Sequence, residues 1–310
     1  MAERREKTTA DEPEAKAEGL VPAGRQIVRA AGILVVFLVV AMILWRFFGN
    51  QLMTVRAAPL QLTNFEIPPV PAWIRSDVRA EVVRDAKLTS HTIQLEDLTL
   101  RVAEAFRMHS WVARVVRVTK EYPNRVSVSL KYRKPVAMVE VIDAAGGRGL
   151  FPVDVEGYLL PTADFLPAAQ PVVPIEKYPR LRTDGLPPTV LPGTPWGDVR
   201  IHRGAALAAY AGPHWERLQL FEILGLRGKR EGMDPGSPTF EIRTVKGTTI
   251  LWGHAPGDEI TGEATADKKL AQLADFLQKH GTLDAVQPDQ TIDVRYSGGL
   301  EVATVGRQLR

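Results

Sequence analysis

The longest unbroken apolar run lies near the start of the chain. Between Arg29 and Arg46 come sixteen residues without a charge, Ala30–Trp45, mostly Val, Ile, Leu and Phe. As a helix rising about 1.5 Å per residue, that run measures about 24 Å. Extended to Ile27–Phe48 it reaches about 33 Å, which covers a hydrocarbon layer of about 30 Å if both arginines turn outward. Trp45, Phe47 and Phe48 fall where aromatic side chains sit at a membrane interface. The pattern predicts one transmembrane helix over residues 27–48. A cleaved signal peptide is the competing reading, with small residues at Ala57 and Ala58 in its favour. Six acidic residues in the leader and a core at the upper end of the usual length speak against it.

The hydrophobic pattern divides the rest. Residues 1–26 mix Arg, Lys, Glu, Asp and Ala and predict a disordered tail. Residues 49–74 hold Pro59, Pro68, Pro69 and Pro71 and predict an extended linker. In residues 75–135, Val78, Ala80 and Val82 alternate with Arg79, Glu81 and Val83, a strand pattern. Leu95, Leu98, Val102 and Phe106 recur at helical spacing. A hairpin follows, turning at Tyr122-Pro123-Asn124. Val112, Arg114, Val116 and Val118 share one face of its first strand. In the second strand Val126, Val128, Leu130 and Tyr132 face in, and Arg125, Ser127, Ser129, Lys131 and Arg133 face out. The outward face is basic, with Arg117, Lys120, Arg125, Lys131 and Arg133. It is either a solvated strand face or an electrostatic contact for a partner or for anionic headgroups.

Residues 136–305 read as a β-rich domain. Val136–Val141 is a short strand, and Phe151–Gly157 a hairpin with Gly at its turn. Pro161–Pro195 carries nine prolines and reads as a surface excursion, not central sheet. A helix over Arg203–Tyr210 stops at Gly212-Pro213, and strands follow at Leu218–Leu224, Thr239–Val245 and Thr248–Trp252. Ala266–His280 is an amphipathic helix ended by Gly281. Thr291–Tyr296 and Leu300–Val305 close the chain as two strands. The last is expected at a sheet edge, offering unpaired N–H and C=O groups to another chain.

Composition narrows the function. The 310 residues carry a net charge of +3, which gives no reason to expect nucleic acid. There is no cysteine, so disulfides, thiolate catalysis and Cys-based metal sites are excluded. Lys16, Arg25 and Arg29 precede the apolar run, against Arg46 and Arg56 after it, which favours a cytoplasmic tail and an extracytoplasmic domain. The six histidines form no HxH or HExxH pair, and no GxSxG, Walker or GxGxxG motif occurs. Asp258-Glu259 are neighbours expected to point apart into solvent, and His254 beside Trp252 is expected to be a strand end. No cofactor, metal or small-molecule substrate is called for.

Several segments taken in order carry a family resemblance. Ser110-Trp111-Val112 and Tyr122–Val128 look like the end of a POTRA module. Arg133-Lys134-Pro135-Val136-Ala137 looks like a module junction. Phe151–Gly157 looks like the hairpin that opens a β domain, and Ile292-Asp293-Val294-Arg295-Tyr296 with Gly298-Gly299 like a C-terminal strand pair. Together they resemble the bacterial cell-division family FtsQ/DivIB. Its pattern is departed from in the length of the stretch 161–195 and in Thr304-Val305, where some members have an aromatic.

The resemblance implies an α+β fold: a transmembrane helix, a POTRA-like βααββ-type domain over 75–135, and a β domain over 136–305 with a C-terminal helix and two final strands. It implies a non-enzymatic, single-pass inner-membrane scaffold of the division septum, taking FtsB/FtsL-like single-span coiled-coil proteins and other divisome partners by strand addition. Tyr296, Gly298, Leu300, Val302 and Thr304 are the contact positions this implies. The alternatives are a membrane-anchored envelope enzyme and a POTRA-bearing assembly or transport factor.

Overall fold

The computed structural model describes residues 23–49, 59–121, 123–142, 146–165, 175–184, 187–227 and 237–304. The chain divides into two units, Met1–Ala58 and Pro59–Arg310. In the first, α1 (Ala23–Leu44) starts four residues before the expected span and ends in a π-helical turn, Trp45–Gly49. Its Val28–Phe48 stretch has a mean hydropathy of 2.5, and none of it is buried in protein. The helix is long and apolar enough to cross a membrane. Most of the predicted tail lies outside the described residues.

The second unit has two hydrophobic cores. The first lobe runs β1 (Phe65–Glu66), α2 (Val78–Asp85), α3 (Leu98–Met108), β2 (Val112–Glu121) and β3 (Arg125–Tyr132). Its sheet has the order β1-β3-β2, with β1 parallel and β2 antiparallel to β3. Phe65, Val78, Val82, Leu98, Val102, Phe106, Val126 and Val128 meet in its core. Three expectations need correction here. The expected strand over Val78–Val83 is helix α2: Val78, Val82 and Val83 fit the 3.6-residue period as well as alternation, and Asp77 caps the helix by accepting from the Ala80 amide at 3.0 Å. The first strand comes instead from the expected linker, which is folded from Pro59 onward with Leu60, Phe65 and Ile74 buried; residues 50–58 lie outside the described set. In β2, two register shifts, Val112/Arg114 and Val115/Arg117, break the expected single face. They turn Val115 inward and leave Val116 57% exposed.

The second lobe is an eight-stranded sheet in the order β11-β10-β9-β8-β7-β6-β4-β5. Its strands are β4 (Pro135–Ile142), β5 (Arg148–Asp154), β6 (Arg180–Arg182), β7 (Leu220–Leu226), β8 (Thr239–Thr244), β9 (Thr249–His254), β10 (Gln290–Asp293) and β11 (Glu301–Thr304). Helices α4 (Val199–Ala211) and α5 (Ala266–His280) join its core through Ile201, Ala205, Ala208, Ala266 and Leu273, against Val139, Leu181, Ile223, Ile242, Ile250 and Ile292. Asp198 caps α4. Thr265 caps α5, which stops at Gly281 with φ +74. Part of the Pro-rich stretch is central sheet after all. Arg180-Leu181-Arg182 contains no proline and lies parallel between β4 and β7, with Leu181 fully buried. Pro179 contributes only its carbonyl, which accepts from the Met138 amide at 2.9 Å.

Arg133, expected on the exposed basic face, is buried. Its guanidinium donates to Asp154 at 2.5 Å and lies 3.6 Å from the centre of the Tyr158 ring, and its carbonyl accepts from Trp73 Nε1 at 3.1 Å. Strand β3 ends at Tyr132, so the alternation that would turn Arg133 outward ends before it. A second buried tie joins Trp111 Nε1 to Asp164 at 2.5 Å. Removing one member of a buried ion pair leaves the other uncompensated. Arg133→Met is therefore expected to destabilise the folded unit by about 3–5 kcal/mol in denaturant unfolding. Lys131→Met, on the exposed face, should change stability by no more than about 0.5 kcal/mol. Equal effects would refute the assignment of Arg133 to the interior.

Candidate functional site

An open sheet has two edges, and this chain treats them differently. Outside β5, the segment Tyr158–Leu160 turns back along the strand: Asp154 donates its amide to the Tyr158 carbonyl at 3.2 Å, and Leu160 donates to the Pro152 carbonyl at 2.9 Å. Pro152 has no N–H to leave open. Gly157 makes the return possible: it has φ +73, and a Cβ there would come within 2.8 Å of His202 Cα. The Pro152–Asp154 end of that edge is covered by the protein's own chain. At the other edge β11 pairs antiparallel with β10, Thr304 opposite Gln290 and Glu301 opposite Asp293. Among the described residues nothing pairs with its outer side.

The five expected contact positions do not all lie on that edge. Val302, 42% exposed, and Thr304, exposed, belong to β11. Leu300 immediately precedes it, half-buried against the core. Gly298 lies in the exposed connection. Tyr296, 45% exposed, bridges to Glu263 in the preceding loop and stands at the end of the edge.

The connection into β11 is held by a buried polar cluster. Glu263 Oε1 accepts from Lys269 Nζ at 2.6 Å and from the His254 amide at 2.8 Å. Its Oε2 contacts the His254 ring at 2.7 Å and accepts from the Ile260 amide at 3.2 Å. Lys269 has no exposed surface and lies over the Trp252 ring at 5.2 Å. The next amide, Ala264, donates to the Arg295 carbonyl at 2.7 Å. That carboxylate thus ties the end of β9, the loop at Ile260 and α5 together, and the neighbouring Ala264 amide ties the same loop to the chain entering β11. Gly253 is required for this: it has φ +86, and a Cβ would stand 2.2 Å from Glu263 Oε1. Arg295 is fixed in turn by its own amide and its guanidinium, which together donate four bonds to the Asp293 carboxylate, the shortest 2.6 Å.

The sequence held partial signals of this cluster. Lys269 lies on the apolar face of α5, four residues before Leu273, where a solvated lysine does not belong, and Gly253 sits inside a strand. Glu263 carried no signal. His254 is a strand end, as expected, and also a member of the cluster. Asp258 and Glu259 do point apart, but neither is merely solvated. Asp258 pairs with Arg203 at 2.9 Å, and Glu259 accepts from the Gly257 and Ala266 amides at 2.9 Å each.

Of the expected basic face, Arg117, Lys120, Arg125 and Lys131 are exposed. Arg125 pairs with Glu66 at 3.3 Å, and the Lys120 amine donates to the Leu95 carbonyl. Arg133 is not on this face. Among the described residues, no group of three or more His, Cys, Asp or Glu is placed to hold a metal ion. Compared with known proteins, the chain matches no family model and no curated protein.

Burial pushes the Glu263 carboxyl up, but the hydrogen bonds from Lys269 and from the His254 amide and ring outweigh it, and its pKa lies below the usual carboxylate value. A depressed pKa contributes stability that is fully present above the unfolded-state value and is lost as pH falls through the folded-state value. The unfolding midpoint should therefore fall on acidification below about pH 4.5. Glu263→Gln should lower the midpoint at neutral pH and flatten this acid limb. A variant with an unchanged acid limb would show that Glu263 does not hold the cluster.

Proposed function

We propose that the protein is a membrane-anchored scaffold that receives a partner strand on the open edge of β11, the role that the resemblance to FtsQ/DivIB implies. The observation that carries this reading is the asymmetry of the sheet: the β5 edge is partly covered by the protein's own chain at Pro152–Asp154, whereas among the described residues nothing covers the outer side of β11. Strand addition takes its affinity from main-chain hydrogen bonds and its specificity from alternate side chains. Val302 and Thr304 supply the alternation on β11, Leu300 continues it, and Tyr296 and Gly298 flank its entry. The Glu263 cluster supports the reading by fixing the segment that leads into the edge, which lowers the ordering cost of binding.

In this reading α1 crosses the inner membrane with the tail in the cytoplasm, the first lobe corresponds to the POTRA-like module, and the second to the family's β domain. The partners are small single-span coiled-coil proteins of the FtsB/FtsL kind, met at the division septum. The scaffold carries out no chemistry and needs no cofactor.

Successive residues of an edge strand direct their N–H groups alternately toward the neighbour and away. Of Val302 and Ala303, one therefore has its N–H free. Proline there removes a donor from the open side and leaves the β10 ladder intact. The two single-proline variants of the tagged full chain should behave differently in pull-downs from solubilised source membranes. One should stay folded and lose small heptad-bearing single-span proteins at least about tenfold, a change of about 1.4 kcal/mol. Folded variants that both recover these partners as the parent does would refute strand addition at β11.

A further inference from the structure

The outer face of the first lobe's sheet is charged unevenly. On β3, Ser129 and Lys131 point outward between buried Val128 and Leu130 and the end of the strand. The register sets Arg114 directly opposite Lys131, and Arg117 opposite Ser129. Three exposed cations thus crowd one end of the face, and among the described residues none has an acidic partner. Like charges directly opposite destabilise an antiparallel pair. At the far end Arg125 is paired with Glu66 and lies opposite Glu121, so that end is neutralised. The second bulge leaves Val116, an apolar side chain, exposed beside Arg117. A bulge in an edge strand both interrupts pairing and re-aims the side chains beside it.

We infer that this end of the sheet, Arg114, Arg117 and Lys131 with Val116, docks on a membrane surface carrying anionic phosphate headgroups. Cations around an exposed apolar side chain match an interface that is anionic at the headgroups and apolar beneath them. The anionic surface also relieves the repulsion between Arg114 and Lys131. The chain itself limits the distance: the nine residues 50–58 separate the anchor from Pro59, and fully extended they reach about 32 Å. A membrane crossed by α1 is within that tether. The inference rests on the anchor, not on the partner edge, so its failure would leave the reading of β11 untouched.

The test uses the full chain in lipid nanodiscs. The protein has no cysteine, so Ser129→Cys gives a single labelling site on the face and Lys279→Cys a control on α5. A fluorophore at each site is read for quenching by nitroxide-headgroup lipid. With phosphatidylglycerol present the Ser129 label should be quenched well above its level in phosphatidylcholine discs, and the control label should not. The difference should vanish in about 0.5 M salt, where screening acts within a few ångströms. Each of Arg114→Gln and Arg117→Gln should weaken the association about fivefold. Equal quenching in both lipids, equal quenching at both sites, or glutamine variants that behave as the parent would overturn the inference. So would a face that ignores phosphatidylglycerol but binds a soluble polyglutamate peptide, an outcome pointing to an acidic protein partner.

Discussion

Backbone hydrogen bonding at the ends of an open sheet is the constraint on which the second lobe depends. Every strand inside the sheet has partners on both sides; the outermost two do not, and an unpaired row of N–H and C=O groups invites unwanted association. The chain covers the Pro152–Asp154 end of the β5 side with Tyr158–Leu160. In the first lobe it disrupts the β2 edge with two bulges and several charges. The β11 side has neither device among the described residues. An edge that carries neither device, beside a partly covered β5 and a bulged β2, is what gives the strand-addition reading its physical content.

Among the described residues that edge strand is Glu301–Thr304, and a strand so near a terminus frays without support. Support comes from below. The buried Glu263–Lys269 pair, the His254 contacts and the Ala264–Arg295 bond fix the chain as it enters the final hairpin. A buried ion pair is a costly way to gain stability, and well-packed apolar residues often do as well. Its use here is geometric: a carboxylate that accepts four bonds holds three separate segments in one arrangement. The Arg133–Asp154 pair plays the matching part between the two lobes.

How much of this the sequence disclosed depends on the element. Helix α5 is legible to the residue because its apolar stripe and Gly281 agree, and the structure adds the Thr265 cap at its start. The terminal strand pair was legible for the same reason, with Gly298-Gly299 marking the turn. Helix α2 was misread because eight residues containing three valines satisfy two periods at once. Strand β6 was hidden because proline frequency averages over a stretch in which three proline-free residues suffice to bridge β4 and β7. The bulges in β2 leave no trace in composition, so Val116 and Arg114 were assigned the wrong company. Alternation points Arg133 outward only if the strand continues through it, and the strand ends at Tyr132. The Glu263 cluster joins residues only three to nine positions apart, but the loop between β9 and α5 has no period, so nothing in the pattern says which of its side chains turn inward.

The central claim is that the outer side of β11 is open in the isolated protein and filled in its complex. Amide hydrogen exchange on the purified full chain, alone and in complex with partners from source membranes, tests it most directly. The account predicts that alternate amides of Val302–Thr304 exchange rapidly in the isolated protein, while their neighbours bonded to β10 are slower. It predicts that the fast set becomes protected in the complex. Protection of every β11 amide in the isolated protein, or no change on complex formation, would contradict it.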